Sequence, residues 1–260
     1  MPGGAPAPFL SVVIPAYNEE GRIRDSLLRA SVWLAVPGRL SGDAEIVVVD
    51  DGSRDRTAAV VEATAGSLPP GAPALRLLRN GANRGKGYSI KHGVLMAAGE
   101  FLLLSDADFS TPIEELPHLL DPVTREECDI AIGSRGLPGS RIEVRQPVWR
   151  QTMGRTFNAI VRVATGLPYR DTQCGFKVMR RDPVLPLFRA ARIERFAYDV
   201  EILYLARKAR LAVREIPVRW RDAAGSKVHA ARDSCRMLLE VARILWLDRR
   251  SRYGRIGEGA

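Results

Sequence analysis

Along its first half the chain repeats one hydrophobic texture: a short unbroken apolar run, then a longer stretch with helical spacing. Leu10–Ile14 is the first run, and Glu20–Val36 follows with Ile23, Leu27, Leu28 and Leu34 at helical intervals. Glu45–Val49 is the next, and the turn Asp50-Asp51-Gly52-Ser53 leads into a helix ending near Ala65. Pro69-Pro70-Gly71 breaks the chain before Leu75–Leu78. Gly85–Ala98 reads as helix, Phe101–Ser105 as strand, and Asp129–Gly133 extends the series. Runs without polar alternation are buried on both faces, as in a parallel sheet covered by helices. The expectation is an α/β fold with a mostly parallel central sheet and helices on both faces.

After Gly133 the pattern loosens. Residues 134–150 are rich in Gly, Pro and Arg and read as a long loop, a length that usually carries function or disorder. Gln151–Thr165 has helical spacing, residues 166–177 read as loop, Ala197–Ala209 as helix and Val213–Trp220 as strand. A last helix, 232–247, is expected to pack Cys235, Leu238, Leu239, Ala242, Leu245 and Trp246 on one face, with Arg232, Arg236, Glu240 and Arg243 opposite. The expected division is a flexible lead over 1–9, one catalytic domain over 10–228, a basic amphipathic helix over 229–250 and a tail over 251–260.

Composition narrows the class. The chain has 260 residues, 46% hydrophobic and 27% charged, an ordinary globular balance. No apolar run approaches the roughly 18–20 residues that span a bilayer. The Pro- and Gly-rich start lacks the basic and apolar regions of a signal peptide, and three scattered cysteines form neither a disulfide framework nor a zinc site. A cytoplasmic protein is expected. Of the net charge of +9, residues 205–260 carry +8, with 14 Lys and Arg against 6 Asp and Glu. Such an end suits nucleic acid, an anionic membrane surface, a phosphorylated substrate or a plainly solvated face. An amphipathic basic helix would rest at the inner face of the cell membrane.

Four polar clusters follow the predicted strands, where α/β proteins bind ligands. In Pro15-Ala16-Tyr17-Asn18-Glu19, Pro15 fixes the exit from the sheet, Tyr17 offers a flat face to a nucleobase, and Glu19 can accept hydrogen bonds from base or ribose. In Val49-Asp50-Asp51-Gly52, Asp51 can accept a base N–H, or act as a helix cap. Asn83-Arg84-Gly85-Lys86-Gly87 puts two cations and two glycines before a helix, suiting a diphosphate, though it is no P-loop. Asp106-Ala107-Asp108 places two carboxylates two residues apart, hard ligands for Mg²⁺ or Mn²⁺. No Gly-x-Gly-x-x-Gly follows the first strand, which argues against a dinucleotide dehydrogenase. Carboxylates lining a cleft also argue against a non-catalytic polyanion binder, so no nucleic-acid partner is expected.

Read together and in this order, the clusters resemble the family 2 glycosyltransferases of GT-A fold, which use nucleotide-sugar donors. Gly133-Ser-Arg135, Asp171-Thr-Gln173-Cys-Gly-Phe-Lys177, Arg195-Phe-Ala-Tyr-Asp199 and Gly225-Ser-Lys227 resemble the polyprenyl-phosphate sugar transferases, most of all the branch that glucosylates dolichyl phosphate. The resemblance implies a nucleoside pocket from Pro15, Tyr17, Glu19, Val49 and Asp51, and a sugar–metal corner from Asp106, Ala107 and Asp108. Ser110 falls at the third metal position and is a weak ligand. Arg135 would reach phosphate or acceptor, and Lys86, Arg221 and Lys227 would close over the diphosphate. Asp171, Gln173 and Asp199 are candidates for orienting acceptor or sugar, or are buried structural polar groups. The implied reaction is inverting transfer of a hexose, glucose from UDP-glucose or mannose from GDP-mannose, to a polyprenyl phosphate or else a soluble acceptor. The membrane-spanning segments of such relatives are not evident here. A lipid acceptor would therefore be met through the basic C-terminal region or through a membrane-protein partner.

Overall fold

The computed structural model describes residues 7–144, 148–221 and 230–254, apart from the side chains of 148–151, 155 and 230–235. Strand and helix alternate as the apolar runs predict: β1 (Leu10–Ala16), α1 (Ile23–Leu34), β2 (Ala44–Asp50), α2 (Thr57–Ala65), β3 (Ala74–Arg79), α3 (Lys86–Met96) and β4 (Phe101–Leu104). The second half continues with α4 (Leu116–Thr124), β5 (Ile130–Ser134), β6 (Arg141–Val144), α5 (Val148–Thr165), β7 (Lys177–Arg180) and α6 (Arg181–Ala190). It ends with α7 (Tyr198–Lys208), β8 (Val213–Pro217), β9 (Arg219–Arg221) and α8 (Ala230–Arg249).

Seven strands form one sheet in the order β3-β2-β1-β4-β7-β5-β8. All neighbours run parallel except β7, which is antiparallel to both β4 and β5. Side-chain alternation sorts the strands onto two cores. Leu10, Val12 and Ile14 of β1, with Phe101 and Leu103 of β4, pack under α1 and α4. Val13, Leu102 and Leu104 face the other way, onto α3, α5, α6, α7 and α8. The strand order turns back between β1 and β4, so the crevice at their carboxyl ends is the place for a ligand.

The structure adds elements inside stretches read as loop or left unread. Helices α4 and α6 each carry an internal proline, Pro122 and Pro186, which masks their helical periodicity. Strand β7 opens on a buried lysine, an unusual start for a core strand. The loop expected over 134–150 contains β6, whose partner is β9 in a separate two-stranded sheet. The single strand expected over 213–220 is therefore two: β8 ends at Pro217, and the chain crosses to β6.

The buried face of α8 also differs from expectation. Val241, Ile244 and Leu247 enter the core, whereas Leu239 is 73% exposed and Trp246 52%. Glu240 turns inward, its carboxylate accepting the Ala197 amide at 3.1 Å. The inner stripe is the one that packs against α5 and α7, so the helix is rotated from the orientation that its Leu and Ala spacing suggests. Cys235 and Arg232 have no described side chains. Among the described residues, no helix is long and apolar enough to cross a membrane.

Candidate active site

Each parallel strand delivers its polar cluster to the same edge. Past β2, the chain turns through Gly52 at φ +68°, where a β-carbon would meet the backbone of Ala82 and Asn83. Asp51 before it is buried and takes four hydrogen bonds. Its Oδ1 accepts from Asn80 Nδ2 at 2.8 Å and the Arg84 amide at 3.0 Å; Oδ2 accepts from Asn83 Nδ2 at 2.9 Å and the Gly85 amide at 2.8 Å. Asp51 thus fixes the loop that presents Lys86. Pro15 pairs with Val49 across β1 and β2, and Val49 is fully buried. Tyr17 is half-buried beyond the end of β1. Glu19 pairs with Arg22, whose Nη2 donates to Oε1 at 2.9 Å, and Arg22 Nη1 lies 3.7 Å from Asp108 Oδ2.

Lys86 heads α3 and sets its Nζ 2.6 Å from Asp106 Oδ1. Burial works against the charge on Asp106, but Lys86, then Lys177 and Arg135, hold its carboxyl below the ordinary value. Asp108 goes the other way. Burial, then the neighbouring Asp106 charge, push it up against the pull of Ser110 and Arg22. Two adjacent carboxylates thus differ in their grip on a proton. The Ser110 amide donates to Asp108 Oδ1 at 2.9 Å, and its carbonyl accepts the Arg221 amide at 3.0 Å. That last bond brings β9, and so Arg221, beside the carboxylate loop. Ala107 tucks its methyl into the core, and Gly175 packs so tightly that a β-carbon there would run into the Asp106 carboxylate.

A second polar group lies beside the first, with Arg135 and Lys177 near enough to act on Asp106. Arg135 grips the buried Asp171 with Nε to Oδ2 at 2.7 Å and Nη2 to Oδ1 at 2.9 Å, and its own amide adds a third bond at 3.0 Å. Burial opposes the Asp171 charge, but Arg135 outweighs it and lowers the carboxyl below its ordinary value. The guanidinium also lies 5.4 Å from the ring centre of Trp220. The Gln173 amide bonds Asp171 Oδ1 at 3.2 Å, and its side chain reaches Met237 Sδ on α8 at 3.0 Å. Asp199, in the first turn of α7, is ion-paired with Lys177, and both are almost wholly buried. Lys227 lies outside the described residues.

Three neighbours were not among the residues picked from sequence: Arg22, Lys177 and Tyr198. Lys177 lies in a quoted motif, and a lysine opening an apolar strand was the signal available. Tyr198 is buried, with a hydroxyl that has no hydrogen-bond partner among the described residues. Burial, then Asp199 and Asp106, raise its pKa well above the ordinary value. Arg22 carries no sequence signal beyond its place three residues after Glu19.

Among the described residues, no three His, Cys, Asp or Glu side chains cluster as a ready-made metal site. Asp106 and Asp108 still fit a hard divalent cation, because they are adjacent carboxylates whose mutual repulsion already raises one of them. The remaining ligands would have to come from Ser110, water or a bound phosphate. What the arrangement offers chemically is a carboxylate corner for a cation, with Lys86, Arg22 and Arg135 around it and the backbone of Arg221 beside it.

The chain has clear relatives among known proteins. The sequence model for glycosyl transferase family 2 matches residues 11–188. A dolichyl-phosphate beta-glucosyltransferase of Dictyostelium discoideum is 34% identical over 242 residues, covering 91% of this chain and 73% of the relative. The Drosophila melanogaster protein of the same name is 38% identical, covering 86% and 70%. The Homo sapiens one is 33% identical, covering 86% and 71%. Among solved structures, a Mycobacterium tuberculosis glucosyl-3-phosphoglycerate synthase bound to Mn²⁺, UDP and product superposes with a TM-score of 0.63 at 19% identity, over 90% of this chain and 80% of that one. Staphylococcus aureus TarS in complex with UDP gives 0.59 at 19% identity, over 92% and 64%. These likenesses show a GT-A fold, and the match in sequence goes further: the chain belongs to glycosyl transferase family 2.

Proposed function

We propose that this glycosyltransferase moves glucose from UDP-glucose to a polyprenyl phosphate of the dolichyl type, inverting the anomeric centre, with 10–228 as its catalytic domain. The observation that carries the reading is the pairing of Lys86 with Asp106 beside Asp108, with Arg135 acting on the same carboxylate and the Arg221 backbone bonded to the carboxylate loop. The names of the relatives supply the sugar and the acceptor class, and the Mn²⁺ and UDP complex of the structural neighbour supplies the donor class.

Asp106, Asp108 and Ser110 would hold Mg²⁺ or Mn²⁺, which supplies charge neutralisation to the departing diphosphate. Lys86 and Arg221, with Lys227, neutralise the same diphosphate from both sides. Pro15, Tyr17 and Glu19 form the nucleoside end, with the buried Val49 and Asp51 supporting it through the strand and loop they fix. A phosphate monoester is already ionised near neutral pH, so its oxygen attacks the sugar carbon without a general base. The bond from that carbon to the UDP oxygen breaks as the new one forms, and UDP departs. Arg135, clamped by Asp171, is the cation for the acceptor phosphate, and Gln173 borders it. Asp199 holds Lys177 beside the sugar corner.

The test is transfer of label from radiolabelled UDP-glucose to isolated polyprenyl phosphate by wild type and by Asp108→Ala. Labelled lipid from wild type alone is the expected result. Label from GDP-mannose instead would overturn the donor, and label entering only a water-soluble phosphate would overturn the acceptor.

A further inference from the structure

The segment 193–198, which leads into α7, is locked onto the loop that presents Lys86. The Tyr88 amide donates to the Glu194 carbonyl at 3.0 Å. Glycines make that approach possible. A β-carbon on Gly85 would stand 2.5 Å from the Glu194 carbonyl oxygen, and one on Gly87 would stand 2.6 Å from both the Ile193 carbonyl oxygen and Tyr198 Cβ. On the far side, Glu240 of α8 holds the Ala197 amide at 3.1 Å. The Tyr198 ring is thus fixed against the first turn of α3, with Lys86 Nζ 5.7 Å from its centre.

This firmly held ring carries a hydroxyl that the fold leaves unused. It is buried, and none of the described residues offers it an acceptor at hydrogen-bonding geometry. Burial, then Asp199 and Asp106, raise its pKa, so it stays a donor. Both of those carboxylates are engaged by lysines, Asp199 by Lys177 and Asp106 by Lys86. Two other buried side-chain atoms among the described residues share the condition, Ser31 Oγ and Arg180 Nε. Ser31 lies in mid α1, and Arg180 stands at the amino edge opposite Phe101, where its other nitrogens pair with Asp129 and Glu126. Tyr198 is the one beside the Asp106 corner. A buried phenol without an acceptor weakens a fold, and a phenylalanine ring would pack as well. What the hydroxyl can do is donate to an oxygen that arrives with a ligand.

In a nucleoside diphosphate sugar the hexose is bonded directly to the phosphate that the cation corner holds, so a donor beside Asp106 faces the sugar ring. We infer that the Tyr198 hydroxyl reads one hydroxyl of the donor's hexose, and that Lys86 covers Tyr198 until the diphosphate draws it away. The nitrogen that faces the ring is the same one that pairs with Asp106 at 2.6 Å, at the end of a long side chain. An arriving diphosphate competes for that nitrogen, and its departure uncovers the ring. The nucleotide end is then gripped first and the sugar is checked second. A site built to bond a substrate hydroxyl discriminates against a sugar that lacks it. The inference rests on the proposed nucleotide-sugar donor and deepens it, by naming a group that tells one hexose from another.

The experiment is calorimetric titration of the full chain and of Tyr198→Phe, with Mn²⁺ and no acceptor, alongside thermal unfolding of each free protein. The ligands are UDP, UDP-glucose and deoxy analogues of UDP-glucose, each lacking one sugar hydroxyl. Free Tyr198→Phe is expected to unfold about 2–4 °C above wild type, because the buried hydroxyl without an acceptor is gone. UDP should bind both proteins alike, whereas UDP-glucose should bind the variant about tenfold more weakly. One deoxy analogue should bind wild type about tenfold more weakly than UDP-glucose, and the variant should not tell those two ligands apart. A variant that binds UDP-glucose as tightly as wild type does overturns the inference. So does a variant less stable than wild type with equal losses for UDP and UDP-glucose, which makes the hydroxyl a structural partner of Asp199. Wild type that binds GDP-mannose and no uridine nucleotide removes the UDP-glucose donor, and the variant's loss for GDP-mannose against GDP then decides Tyr198 by itself.

Discussion

The two edges of the central sheet use carboxylates in opposite ways. At the amino edge, Glu45 near the start of β2 is buried and fully matched. It accepts from the Ser11 hydroxyl at 2.6 Å, the Ala98 amide at 2.8 Å and Arg76 Nη1 at 2.7 Å. Burial opposes its charge, but the Ala98 amide, Ser11 and Arg76 together bring the carboxyl below its ordinary value. At the carboxyl edge, Asp106 and Asp108 sit against each other, one lowered and one raised, with long cationic side chains as partners. Glu45 is answered mainly by groups the fold fixes in place. The aspartates are answered by Lys86 and Arg22, which can swing to a diphosphate. A carboxylate matched by its own fold is structural, and one matched by movable cations is available to a ligand.

The contrast is sharpest if each edge is disabled separately. Asp108→Ala should lower kcat/KM for transfer about a thousandfold, because it removes half of the cation corner. Its thermal midpoint should stay at or above that of wild type, since the side chain lost is the one whose charge burial disfavours. A variant that unfolds instead would make Asp108 a structural carboxylate like Glu45. Lys86→Met should cost less, about a hundredfold in kcat, since Arg221 still faces the diphosphate. Calorimetric titration with UDP and Mn²⁺ would show weaker binding of the nucleotide in this variant. Unchanged UDP affinity would separate Lys86 from the diphosphate.

How far these roles could be read from sequence follows the same division. Runs such as Ile46–Val49 and Phe101–Leu104 announce buried parallel strands, and the polar residues that follow them announce the site. Asp106, Asp108 and Lys86 were legible for that reason, and the structure places them together. Lys177 and Tyr198 stood within motifs but not as site residues, because what brings Lys177 beside Asp106 is β7 running antiparallel between β4 and β5, a pairing that no local pattern announces. Helices α4 and α6 were hidden by Pro122 and Pro186, which tertiary packing tolerates and periodicity does not. The face of α8 was misread since its leucines and alanines satisfy a helical stripe on either side, and only contact with α5 and α7 selects one.

The amino edge should respond in stability alone. Glu45→Gln keeps the shape and leaves Ser11 and the Ala98 amide a carbonyl to bond, but it loses the charge, at a cost of about 1–3 kcal/mol in urea unfolding. Activity per folded molecule should be unchanged. The loss must also depend on pH. A carboxyl lowered in the folded state binds fewer protons there than in the unfolded chain, so stability rises with pH across that window. The Glu45 contribution is thus complete above the ordinary glutamate value of 4.5 and fades as pH falls through its lowered folded value. Wild type and Glu45→Gln should converge in acid, and a difference that persists there would mean that shape, not charge, holds this edge.

Arg76→Met should have the smallest effect. Arg76 is 39% exposed on its side chain, so water screens its pairing with Glu45 and the cost should fall below about 1 kcal/mol. The Ala98 amide and the Ser11 hydroxyl remain, and they precede Arg76 in lowering the Glu45 carboxyl. The acid limb of the stability curve should therefore move only slightly toward neutral pH. A shift as large as that of Glu45→Gln would give Arg76 the whole of the effect. The amino edge would then rest on one long cation, as the carboxyl edge does, and the distinction between a carboxylate held by the fold and one awaiting a ligand would fail.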